Sequence, residues 1–172
     1  MRKEIGMPKS FEPVSSPDSR ILILGSLPGV ESLNQQQYYA YKHNKFWEIM
    51  GFLLKFDPFV SFATRYQHLL EARIALWDVV GSGTRPGSLD SNIKNEIAND
   101  FQSFFSSHRE IGAVFFNGQT AAKMYRKHVF GDLSVENQNL HYHTLPSTSP
   151  ANAAMNFEQK LDKWQIILDF LK

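Results

Sequence analysis

Between Gln37 and Trp47 the chain reads QYYAYKHNKFW, which crowds three tyrosines, a Gln, a His, an Asn and two lysines against a Phe-Trp pair. Rings and amides gathered in this way suit the binding of a flat, uncharged heterocycle. The apolar positions follow neither a 3.6-residue period nor strict alternation, so the stretch is read as a loop. Two further groups test for other chemistry. GSLPG carries glycines only at Gly25 and Gly29, a spacing that fits neither the dinucleotide fingerprint nor a phosphate loop ending in Gly-Lys-Ser/Thr. His141 and His143 lie two apart on a predicted strand and so face one side, with His43 a third candidate. No carboxylate or thiol stands at ligand spacing from them, and no metal is expected. The chain has no cysteine, which removes disulfides, thiol catalysis and iron-sulfur clusters. No cofactor is expected.

The elements that must hold this loop show as four apolar runs, each closed by polar, Gly or Pro residues: RILILGSLPGV, ARIALWDVV, IGAVFFNG and LHYHTLPSTSP. Between them the helical period appears in Phe46, Ile49, Met50 and Leu53, then in Ile93, Ile97, Phe101, Phe104 and Phe105, and finally in Phe157, Leu161, Trp164, Leu168 and Leu171. Strands alternating with helices predict an α/β sandwich of three layers, a central four-stranded parallel sheet flanked by helices. Such sheets place ligands in the crevice beyond the carboxyl ends of their strands. Those ends carry the unusual loops of this sequence.

With 172 residues and 42% hydrophobic content, the chain supports one core and is expected to form a single domain over residues 1–172, the first eighteen as a flexible arm. No segment has the length of a signal peptide's apolar core or of a membrane span. With the lack of cysteine, this predicts a cytoplasmic protein with no membrane partner. A formal net charge of +1 leaves a nucleic-acid partner open, because a local basic patch acts independently of global charge.

The four loops taken together, GSLPGVESLNQQQYYAYKHNKFW, LWDVVGSGTRPGSLDSNI, FFNGQTA and LPSTSPANAAMNF, resemble the uracil-DNA glycosylase superfamily, and most closely its hypoxanthine-DNA glycosylase branch, sometimes counted as the sixth family. The resemblance runs from about Ser10 to the end of the chain. It implies hydrolysis of the N-glycosidic bond of a deaminated base in DNA, hypoxanthine or uracil, by a monofunctional enzyme of base excision repair. The base must leave the duplex stack and enter a snug pocket. Phe46 sits where related glycosylases present a stacking ring, with Tyr38 and Tyr39 as pocket walls. Many superfamily members place an Asp or Asn just before the Pro of the first loop to hold the attacking water. Leu27 stands there in this chain, and the branch resembles a solution in which Asn44 orients the water instead. Backbone N–H groups around Gly25, Ser26 and Leu27 are candidates to receive leaving-group charge.

Several of these residues have structural roles open beside the functional ones. Asn44 is a favoured helix cap, Phe46 a natural core residue, and the Asn117 amide can meet a base edge or close a turn. Ser147, Thr148 and Ser149 precede a helix and suit phosphate contacts, or make an ordinary capped Ser/Pro loop. Arg85 and Ser88 are candidates to touch the DNA backbone, while Ser88 or Asp90 can equally cap the helix carrying Ile93. The expected partner is DNA containing a deaminated base, with no obligate protein partner and a monomeric state. A non-catalytic nucleic-acid or nucleotide-binding module that retains the fold is the alternative, and Leu27 is the residue that keeps it open.

Overall fold

The computed structural model describes residues 10–84 and 93–172. Four short strands, β1 (Ile21–Gly25), β2 (Ile74–Asp78), β5 (Ala113–Asn117) and β6 (His141–Leu145), form one parallel sheet in the order β2-β1-β5-β6. Every residue of β1, β2 and β5 is buried. That is the signature of parallel strands covered on both faces, and it explains their continuous apolar composition.

Successive strand residues point to opposite faces, so each strand feeds two cores. Leu22, Leu24, Ala75, Trp77, Val114 and Phe116 meet α4 (Phe101–Ser107) and α5 (Gln119–His128). Ile21, Ile23, Ile74, Leu76 and Phe115 meet α2 (Phe46–Leu54), α3 (Phe62–Glu71) and α7 (Phe157–Trp164). Each fully buried Ile, Leu or Phe contributes about 1.5–3 kcal/mol, so the two layers clamp the sheet. Shorter helices, α1 (Val30–Gln35) and α6 (Val135–Gln138), lie in the connections. The four-stranded parallel sheet between helical layers is the predicted architecture.

Two expectations change. The apolar spacing of Ile93 and Ile97 imitates a helix, yet β4 (Lys94–Ala98) pairs antiparallel with β3 (Val80–Thr84) in a separate two-stranded sheet. Register shifts and a left-handed Asn95 (φ 55°) mark the irregularity of that pairing. The helix begins only at Phe101, because the Asp100 side chain accepts from Ser103 N at 3.1 Å as its cap. Ile97, expected on a buried helix face, is exposed.

The second change concerns the arm, which is tied down from Ser10 onward. Val14 exchanges backbone hydrogen bonds with Leu76 at 2.9 and 2.8 Å, and Ser10 N donates to Gly81 O at 3.0 Å. The Val14 pairing covers the outer edge of β2, where unpaired backbone groups would otherwise stand, and the Ser10 contact reaches β3.

Candidate functional site

The carboxyl ends of β1, β2, β5 and β6 open into one cleft of about 1270 Å³. Four loops line it, with Gly25, Ser26 and Leu27 after β1, Asp78 closing β2, Asn117 closing β5 and Ser147 to Ser149 after β6. The stretch from Tyr38 to Asn44 forms a further wall. This is the crevice that parallel sheets generate where strand order turns outward from the centre.

Asn44 stands at the entry to α2, on the wall of the cleft. Its Oδ1 accepts from Phe46 N at 3.0 Å, which fixes the first turn of α2, and the residue is half-buried on the cleft wall. Its backbone N–H donates to Tyr41 O at 2.9 Å. The amide is therefore held at its oxygen and faces a space that solvent can enter.

Phe46 does not present its ring to the cleft. It is fully buried, edge-on to Trp47 and Trp164, and its face is covered by Tyr39, whose ring stacks on it at 4.2 Å and 26°. Tyr39 reaches this place with a left-handed backbone (φ 52°), a conformation that costs a non-glycine residue of order 1 kcal/mol or more. Tyr39 thus stands on the cleft wall beside Tyr38 and Tyr41, and Phe46 backs it. Tyr38 contributes to the wall, but its hydroxyl turns away to Glu12 O at 2.9 Å. Burial, then the nearby Asp78 charge, push its phenol far above the usual range.

Asp78 is the residue sequence reasoning passed over. Its carboxylate is buried at the end of β2 and lines the cleft. A Cβ on Gly25 would stand 2.7 Å from Asp78 Oδ1 and 2.8 Å from the Tyr39 hydroxyl, so Gly25 is required to let both groups reach the floor. The available signal was a charged residue inside the apolar run IALWDVV, every residue of which is buried.

Asn117 and Thr148 lock onto each other. Asn117 Oδ1 accepts from Thr148 N and its Nδ2 donates to Thr148 Oγ1, both at 2.9 Å. Thr148 is wholly buried and is not a phosphate contact, a correction caused by this pairing. The hydroxyls of the half-buried Ser147 and Ser149, on the cleft wall, accept locally from Ser149 N and Ala151 N, each at 3.2 Å. Each keeps its O–H to donate. Leu27, almost fully buried, packs with Val80 and Ile93 while also bordering the cleft with Ser26. Arg85 and Ser88 lie outside the described residues.

On the β6 side, His143 stacks on Phe115 at 5.2 Å and 13°, and burial, then His141, lower its imidazole from the usual value. Among the described residues, no group of three or more His, Asp or Glu side chains is placed to hold a metal ion, and no helix is long and apolar enough to cross a membrane.

Comparison with known proteins follows the same lines. Residues 12–172 match the family model of the uracil DNA glycosylase superfamily. A hypoxanthine DNA glycosylase of Methanosarcina acetivorans is 32% identical over 162 residues, 92% of this chain and 96% of the relative. One from Methanosarcina barkeri is 35% identical over 116 residues, 67% of this chain and 73% of the relative. The solution structure of a Methanosarcina acetivorans chain described as a uracil DNA glycosylase superposes with a TM-score of 0.81 at 31% identity, covering 96% of this chain and 98% of that one.

Proposed function

We propose that this chain, which belongs to the uracil DNA glycosylase superfamily, is a monofunctional DNA glycosylase that hydrolyses the bond between a deaminated base and deoxyribose, with hypoxanthine its chief substrate. Membership of the superfamily and the names of its Methanosarcina relatives support the glycosylase activity. The single observation that carries the chemistry is one cleft shared by the Asn44 amide, the Tyr39 ring and the Asp78 carboxylate.

Extruding the target nucleotide costs a few kcal/mol. Stacking the base on an aromatic ring returns about 1–3 kcal/mol, and Tyr39, backed by Phe46, offers such a ring on the cleft wall. A carboxylate offers only acceptors. Hypoxanthine at N1 and uracil at N3 present an N–H, whereas adenine and cytosine present a lone pair at the equivalent atoms. Meeting that ring nitrogen, Asp78 would accept from a deaminated base and face a lone pair on the parent base.

The C1′–N bond then lengthens towards an oxocarbenium-like sugar, as in glycoside hydrolysis generally. A water oriented by Asn44 forms the new C1′–O bond. One of its protons stays on the resulting hydroxyl, and the other balances the charge on the departing base. An amide is a poor general base, so leaving-group stabilisation by the first loop must lower more of the barrier. Ser147 and Ser149 hydroxyls would hold flanking phosphates, which position a duplex without reading it. The enzyme acts as a monomer.

A panel of duplexes, each with one hypoxanthine, uracil or unmodified base, tests the reading. Alkali-labile sites are expected at hypoxanthine first, more weakly at uracil, and at none of the unmodified bases. Tight binding of the hypoxanthine duplex with no abasic product would contradict it.

A further inference from the structure

Thr148 joins three loops at a single buried residue. Its N–H and Oγ1 are both clasped by the Asn117 amide at the end of β5, at 2.9 Å each. Its carbonyl accepts from the backbone N–H of Lys45, the residue after Asn44, at 3.0 Å. It is 0% exposed and flanked by the half-buried Ser147 and Ser149, which line the cleft.

The loop is braced on its far side as well. From α7, Trp164 Nε1 donates to Pro146 O at 2.9 Å, and the buried Lys160 Nζ donates to Ser149 O at 3.3 Å. Behind Thr148, Gly118 adopts φ +96°, and a Cβ there would stand 3.1 Å from Ser147 Cβ. With Pro146 and Ser149 held by α7 and residue 148 clasped by Asn117, a displacement of the loop passes through the Thr148 carbonyl to Lys45 and its neighbour Asn44. Packed interiors transmit such shifts because they do not deform continuously.

We propose that Thr148 is a positioning residue that couples engagement of the DNA backbone by Ser147 and Ser149 to the placement of the Asn44 amide. This rests on the water-orienting role of Asn44 given above. Phosphate binding on the Ser147 and Ser149 hydroxyls sets the loop, and the Thr148 carbonyl sets the entry to α2 from which Asn44 projects. Thr148→Val keeps the size and both backbone bonds but removes the hydroxyl that Asn117 holds, which loosens the clasp without altering the Asn44, Tyr39 or Asp78 side chains.

The test is a double-mutant cycle read by single-turnover cleavage of a deoxyinosine duplex, with binding to the same duplex carrying a non-hydrolysable 2′-fluoro analogue. Thr148→Val is expected to slow cleavage about tenfold, as small misplacements of a catalytic group do, with Kd changed less than twofold. In an Asn44→Ala background it should change the residual rate less than twofold, and Thr148→Ser should restore the wild-type rate. An equal loss in both backgrounds, or no loss in either, overturns the coupling. If Thr148→Val does not fold, Thr148→Ala replaces it, and unfolding of both marks a purely structural strut and overturns the proposal. A wild-type rate for Asn44→Ala alone would instead refute the role of Asn44 on which this builds.

Discussion

At the scale of single residues, the cleft depends on which side of a ring or amide faces inward, and sequence order does not fix that. Phe46 and Tyr39 are both aromatic and seven positions apart. The left-handed turn at Tyr39 places its ring over Phe46 and so decides which of them lines the cleft. Asp78 was hidden for a different reason, since an acidic residue after IALW looks like the polar close of a strand, and its proximity to Gly25 is a matter of sheet register, Gly25 pairing with Asp78. Its importance can be measured. A hydrogen bond to a charged group is worth about 1.5–3 kcal/mol, so Asp78→Asn should lower kcat/KM on a deoxyinosine duplex by roughly tenfold or more while the protein stays folded. An unchanged kcat/KM would remove Asp78 from base recognition.

At the scale of elements, the strands were legible because parallel strands buried on both faces must be apolar without interruption, and β1, β2 and β5 are. The helix carrying Phe101 was legible, but its start was not. Ile93 and Ile97 happen to fall at helical spacing from it, and only the Asp100 cap and the pairing of β4 with β3 separate the two elements. α5 gave little signal because two of its three buried residues are alanines, Ala121 and Ala122, beside Tyr125. The turn that joins β5 to α5 carries a prediction of its own. Gly118 sits at φ 96°, ψ 165°, a region open essentially to glycine alone, and Ser147 crowds the space where a side chain would go. Gly118→Ala should therefore destabilise the fold by about 1–3 kcal/mol, which lowers Tm by roughly 2–4 °C per kcal/mol in a chain of this length. Thermal unfolding followed by circular dichroism checks this, and an unaltered Tm would show that the turn relaxes freely.

At the scale of the whole molecule, the two helical layers and the braced arm hold four parallel strands side by side, so that loops distant in sequence share a cleft. From the sequence, the order and character of those loops were readable. The hydrogen bonds that join them were not, because Asn117 to Thr148 and Lys45 to Thr148 span 31 residues or more and leave no local periodicity. The proposed reaction rests on the Asn44 amide directing water at the sugar of an extruded nucleotide. Removing one preorganised polar group from an active site costs about 10²–10³ in rate. Single-turnover cleavage of a deoxyinosine duplex by wild type and Asn44→Ala, at enzyme concentrations that saturate binding, isolates that step. A loss of about 10²-fold with the duplex still bound is the predicted result, and cleavage by Asn44→Ala within a few-fold of wild type would contradict it.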